Sequence, residues 1–326
     1  MCIRDSIYTG SCSKVSLPGD FNGWDPQAEP LKNLDGTSLW YLQKTFPLDA
    51  RLEYKFFLDG RNWVLDPRNP LRSRGGFGEN SELLMPGYKL PVEVAYRDTI
   101  PHGKIVSESI FSKATGKTRK VMIYLPAMFD KGKADYPLLI VHDGSDYIRF
   151  ANMNNILDYI IYKGMVPQIV TVFVEPVSRN SEYIGHNVKD YTEFIVKELI
   201  PYLKGKYQVS TDNVATLGSS AGANISLWLL INYPEVFTSF ALFSPYASES
   251  VIDNLSSIDC AERRLFIIHG SYDHIDEINS SVNSLIRIFS EKGCRFIYHS
   301  YNEGHNYGFW RAHIDEALSF IYAHED

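Results

Sequence analysis

No apolar run in the 326-residue chain approaches the roughly eighteen residues needed to cross a bilayer, so a helical membrane protein is excluded. Positive charge is not in excess either. Lys and Arg number 32 against 39 Asp and Glu, a formal net charge of −7, which argues against a nucleic-acid partner bound by phosphate neutralisation. Cysteine is scarce. Cys2, Cys12, Cys260 and Cys294 make no C-x-x-C pair and no zinc-like spacing. Neither a metal site nor a disulfide framework is expected, although one bridge is compatible with an exported protein. The opening, MCIRDSIYTGSCSK, has no basic segment followed by an apolar stretch, so no signal peptide is read. That favours a cytoplasmic location, or a periplasmic or secreted one if the natural N-terminus has been truncated or replaced, as this wording suggests. Internal repeats and low-complexity tracts are absent, and nothing sets an oligomeric state.

What is present is an ordinary soluble composition, 44% hydrophobic and 22% charged, in a chain long enough for one large domain and a smaller one. Aromatic residues reach 13%, with 21 Tyr and 18 Phe, which suits a cleft that handles rings or sugars. Val15 to Tyr88 reads as all-β: short alternating runs such as Leu39-Trp40-Tyr41-Leu42 and Leu52 to Leu58 lie between Asp35-Gly36 and Asp59-Gly60. From Lys120 onward the pattern changes to strands alternating with helices, and Ile169 to Val174 is a continuous run of the kind buried in a parallel sheet. The expected fold is therefore an α/β, doubly wound, mostly parallel sheet over 91–326, preceded over 1–90 by a small all-β sandwich.

The chemistry centres on Asn213 to Pro234, NVATLGSSAGANISLWLLINYP. A β-prone run enters Gly218-Ser219-Ser220-Ala221-Gly222 and an apolar helix leaves it, the strand–turn–helix context that G-x-S-x-G requires. Ser220 sits at the apex, held in strain, and a Cβ at either flanking glycine should clash with strand or helix. A serine in that position needs a base, and the base needs an orienting acid. After the strand Leu265 to Ile268 comes Asp273, with Asp276 and Glu277 as alternatives; after the strand ending near Ser300 comes His305. The order Ser, Asp, His is the one this turn demands. His313 and His324 fall on or past the last helix, beyond the catalytic level. For the oxyanion, two backbone N–H donors are expected, from Ala221 and from Ser145, with Gly144 permitting the turn that aims the second. His142 and Asp143, at the end of a core strand, are expected to line the site; Arg179 and Arg149 are candidate substrate contacts, with a surface or structural ion pair the role more expected of each.

Two resemblances can be placed on these residues. Gly19-Asp20-Phe21-Asn22-Gly23-Trp24-Asp25-Pro26, Tyr54 to Gly60 and Trp63-Val64-Leu65-Asp66-Pro67 resemble an early-set, isoamylase-N-terminal module related to glycogen-binding domains, of immunoglobulin-like fold. That resemblance implies a glycan platform of Trp24, Trp63 and Lys55, with the alternative that these residues only pack. Leu138 to Arg311 resembles the esterase D group of α/β-hydrolases, most closely enterochelin esterases. It does so through His142-Asp143-Gly144, Arg179 to Tyr183 with Asn187, Phe194 with Glu198 to Pro201, the GSSAG turn, and Gly304-His305-Asn306-Tyr307-Gly308-Phe309-Trp310-Arg311. Asn306 stands where members of that group often carry Asp, and Ala223 follows Gly222 in place of a further glycine. The resemblance implies Ser220, Asp273 and His305 as triad, with Tyr307 and Trp310 near substrate, and no metal or organic cofactor. The expected function is a serine carboxylic-ester hydrolase taking a small-molecule ester or an acylated glycan. Its substrate would be a catecholate siderophore or related phenolic acyl ester, or else a feruloyl ester on plant or algal polysaccharide. A non-hydrolytic glycan-binding or acyltransferase relative is the alternative of a different class.

Overall fold

The structure, a computed structural model, describes residues 2–132 and 135–323. By packing it divides into two units. The first is Met1–Leu90 together with Gly270–Asp276 and Ser300–Phe309; the second is Pro91–His269, Glu277–His299 and Trp310–Asp326.

The first unit is built from three small antiparallel sheets. Cys2–Thr9 pairs along its whole length with Leu39–Phe46, whose other edge takes Lys32–Asn33. Val15–Ser16, Phe56–Leu58 and Asn62–Val64 form the second sheet, and Arg51–Tyr54, Gly78–Leu84 and Arg72–Gly75 the third. Alternation along these strands sends Val15, Leu17, Phe46, Leu52, Tyr54, Phe56, Leu58 and Leu83 into one core. Tyr272 packs against that core, its ring 6.4 Å from Phe46.

The second unit carries an eight-stranded sheet. Its strands are β1 (Lys104–Ser112), β2 (Lys117–Leu125), β3 (Leu138–His142), β4 (Val170–Val174), β5 (Val214–Ser219), β6 (Phe237–Phe243), β7 (Arg264–Gly270) and β8 (Phe296–Tyr301). They lie in the order β1-β2-β4-β3-β5-β6-β7-β8. β1 and β2 form an antiparallel hairpin and β2 meets β4 antiparallel, whereas β3, β4, β5, β6 and β7 pair parallel. Every residue of β3 and β4 is buried, as an unbroken apolar run demands when helices cover both faces of a sheet. The helices include α1 (Met153–Tyr162), α2 (Ala221–Asn232), α3 (Asp276–Lys292) and α4 (Ile314–Ile321). α3 opens on Asp276 and Glu277, which put negative charge on the positive end of the helix dipole. Cys260 and Cys294 form a disulfide with Cα atoms 5.1 Å apart, the single bridge that the cysteine count left open; Cys2 and Cys12 are free thiols.

Candidate active site

β5 runs straight into α2, and the residue between them is Ser220, at φ 54°, ψ −125°. A non-glycine side chain pays on the order of 1–3 kcal/mol to stay there, so the surroundings must hold it. They do so through the backbone. Ser220 N–H donates to the Phe243 carbonyl at 2.9 Å, and the Ser220 carbonyl accepts from Ala223 N–H at 3.0 Å and Tyr246 N–H at 3.1 Å. Gly218 is required by closeness, since a Cβ there would overlap the Gly222 carbonyl. Gly222 differs from the expectation: its Cβ would meet Asp143 Oδ2 at 3.3 Å and His142 Cβ at 3.4 Å, tight but not a clash. Ala221 opens α2, where first-turn N–H groups lack intrahelical partners and the dipole is positive.

In the first unit, His305 Nδ1 lies 2.6 Å from Asp273 Oδ2. The carboxylate can only accept, so Nδ1 carries the hydrogen and Nε2 is left basic. Asp273 is fully buried, and its second oxygen accepts from Ile275 N–H at 3.1 Å, which fixes the carboxylate plane. Backbone bonds set the two loops side by side: Ser271 N–H donates to the Tyr301 carbonyl at 2.7 Å and Tyr272 N–H to the Glu303 carbonyl at 3.0 Å. Asp276 and Glu277 are exposed on the first turn of α3.

The loop after β3 departs from expectation at three points. The left-handed residue is Asp143, φ 55°, which Asp tolerates, while Gly144 is needed because a Cβ would overlap the Phe173 backbone of β4. Ser145 N–H does not stand ready for an oxyanion, because it donates to Glu175 Oε2 at 2.9 Å. Glu175, directly after β4, was missed; its only sequence signal is a carboxylate at the carboxyl end of a buried strand. His142 does not line a site. It is wholly buried, with Nδ1 3.3 Å from Tyr191 Oη and Nε2 3.1 Å from Thr216 Oγ1, and burial pushes its pKa down to about 3.

Of the other expected substrate contacts, Asp143, Tyr307 and Trp310 are buried, whereas Arg179 and Arg149 are exposed. Arg179 holds Asp143 with two parallel bonds of 2.8 Å, and burial still pushes the Asp143 carboxyl above its usual range. Tyr183 accepts the Asp143 N–H at 3.0 Å, and Glu182 holds buried Arg119 with bonds of 2.9 and 2.8 Å. The stretch Arg179 to Tyr183 is therefore a brace for the β3 loop. Trp310 is buried and donates its Nε1–H to Ser244 Oγ at 3.2 Å, and Tyr307 is buried as well. Arg149 is exposed, its guanidinium 5.0 Å from the Phe150 ring. His313 precedes α4, and His324 lies outside the described residues. On the first unit Trp24 donates Nε1–H to Asp20 Oδ1 at 3.0 Å and its ring is 6.5 Å from Trp63. Trp63 is 46% exposed and lies 4.9 Å from Phe57, while Lys55 sits half-buried at the start of the same hairpin.

Residues 112–321, well over half the chain, match the model of the family described as "Putative esterase". The chain belongs to that esterase family. It is a carboxylic ester hydrolase of the α/β-hydrolase type. The endo-1,4-β-xylanase/feruloyl esterase of Xylanibacter ruminicola is 26% identical over 207 residues, 59% of this chain and 28% of that one. Ferric enterobactin esterase from Salmonella typhimurium superposes with a TM-score of 0.84 at 18% identity, over 98% of this chain and 93% of that one. The Shigella flexneri enterobactin esterase, solved in the presence of enterobactin, gives 0.80 at 17% over 98% and 92%. At such identities the likeness to the solved structures is one of fold, and it covers the β-rich first unit as well as the esterase sheet. No described helix is long and apolar enough to cross a membrane.

Proposed function

We propose that this esterase works through an acyl-enzyme on Ser220, with His305 as base and Asp273 as its orienting acid. The observation that carries the reading is the strained Ser220, since a cost of that kind persists at a backbone clamped for the purpose of presenting one side chain. His305 Nε2 takes the Ser220 proton as Oγ attacks the ester carbonyl, and Asp273 steadies the imidazolium. The carbonyl oxygen gains its charge against the Ala221 N–H. His305 then protonates the leaving alkoxide, and a water activated by the same nitrogen releases the acid. We leave Ser145 out of the oxyanion site, because its N–H is held by Glu175. Residues 91–326 would form the esterase domain and 1–90 a β-module.

The substrate we infer is a phenolic acyl ester, in the manner of enterobactin esterase, and the relatives support it by what they are named for. One observation favours a second substrate, an acylated glycan: the exposed Trp63 beside Trp24 and Phe57 offers rings of the kind that stack on a pyranose. The test is hydrolysis of p-nitrophenyl butyrate, methyl ferulate and a catecholate trilactone by wild type and Ser220→Ala. Turnover by wild type and a loss of at least about 10⁴-fold in the variant is expected. A folded Ser220→Ala enzyme that hydrolyses as fast as wild type would sink the assignment.

A further inference from the structure

The loop carrying His305 is built into the first unit by groups from far upstream. Arg51 N–H donates to the Asn302 carbonyl at 3.1 Å, and Arg51 forms a parallel bridge with Glu303. The Arg51 side chain is 1% exposed. Its Nε donates to Glu82 at 2.6 Å, its Nη2 to Glu53 at 2.9 Å and Ser73 at 3.0 Å, and its Nη1 to Asn306 Oδ1 at 2.7 Å. The other half of the same amide is also claimed: Asn306 Nδ2 donates to Asp20 Oδ2 at 3.1 Å. Asp20 accepts at the same oxygen from Glu53 N–H at 2.7 Å, and Asn306 Oδ1 accepts from Phe309 N–H at 3.0 Å.

The glycines on either side complete the picture. A Cβ at Gly304 would overlap the Asp20 carboxylate, and a Cβ at Gly308 would overlap the Arg51 guanidinium. The two charged groups thus press directly on the backbone one residue before His305 and three after it. Asn306 could not be replaced by Asp without cost, because Asp20 already supplies the carboxylate and an amide is needed to donate to it.

We infer that Arg51 and Asp20 are positioning residues for His305, acting through the carboxamide of Asn306. The inference rests on His305 being the base. The amide cannot rotate or shift without breaking a bond to a buried charge, so its neighbour in the chain is held against Asp273, and small misplacements of a catalytic group are costly in rate. Burial and the nearby Glu53 raise the Asp20 pKa to about 7, so the carboxylate on Asn306 is sensitive to any second negative charge.

The test uses the full chain, with kcat and KM for p-nitrophenyl butyrate measured well below the Tm of each variant. Asn306→Ala should lower kcat about 10- to 100-fold with KM unchanged. Asn306→Asp keeps the acceptor for Arg51 but sets a carboxylate 3.1 Å from that of Asp20, among Arg51, Glu53, Glu82 and Glu303. At acid pH one proton bridges the pair. As pH rises the pair repels, so the ratio of variant to wild-type kcat should fall with pH, a trend that a merely structural role would not produce. An unchanged kcat in folded Asn306→Ala overturns the inference, and so does a flat ratio in Asn306→Asp; if the alanine variant does not fold, the ratio alone decides. His305→Ala separates the two readings. Turnover by that variant at the wild-type rate removes the base assignment itself, whereas a dead His305→Ala beside wild-type behaviour at Asn306 removes only the positioning role.

Discussion

Replacing His142 by glutamine should flatten the acid limb of stability. The ring is wholly buried, its two nitrogens face Tyr191 Oη and Thr216 Oγ1, and neither partner carries a charge to stabilise an imidazolium. Burial therefore holds its pKa at about 3 in the fold, against 6.5 for an ordinary histidine. Below pH 6.5 the unfolded chain binds a proton that the folded chain refuses, so stability falls as pH drops from 6.5 towards 3. At about pH 5 the loss from this one group is about 2 kcal/mol, and over the whole window about 5 kcal/mol, at 1.36 kcal/mol per pH unit. A glutamine side chain cannot take up that proton and keeps a donor and an acceptor for the two hydroxyls. Urea midpoints at about pH 7.5 and pH 5 would be compared for wild type and His142→Gln, with equal m-values as the check on two-state unfolding. The wild type should lose about 2 kcal/mol more than the variant between the two. Identical losses would mean that the ring is protonated or solvated in the folded state, and a substrate-lining role for His142 would be open again.

The disulfide and the aromatic face give two further predictions. Cys260 and Cys294 close a loop of 34 positions, worth about 4 kcal/mol in the chain-entropy account, so Cys260→Ser with Cys294→Ser should lower the unfolding free energy by that amount and move the urea midpoint down accordingly. A midpoint that ignores both the substitution and added reductant would show that the bridge does not form in solution. If Trp24, Trp63 and Lys55 hold glycan, Trp63→Ala should weaken retention on an α-glucan matrix and leave p-nitrophenyl butyrate turnover untouched; unchanged retention would assign Trp63 to packing against Phe57.

Local rules made the elbow readable. A β-run, two glycines around a serine and an apolar helix can be recognised in order, and Gly218 is needed for a reason that lies within residues 218 to 223. The alternation of short strands before Tyr88 and the buried runs after Lys120 are equally local, because side-chain period follows directly from backbone geometry. The chain order of Ser220, Asp273 and His305 was legible too, since each follows a strand that periodicity alone can place.

Tertiary structure decided the partners. Which carboxylate meets His305 depended on backbone bonds from Ser271 and Tyr272 to Tyr301 and Glu303, and those pairings leave no trace in residue spacing. Ser145 lost its expected role to Glu175, and His142 and Trp310 turned inward, because a hydrogen-bond donor goes to whichever acceptor the fold brings within reach. Arg51 and Asn306 are 255 positions apart. Sequence alone determined the reaction the chain is built for, because that chemistry is carried by residue types in a local order. The packing around it came only from the folded chain, because contacts between distant segments are set by loop closure and shared burial rather than by any neighbour in sequence.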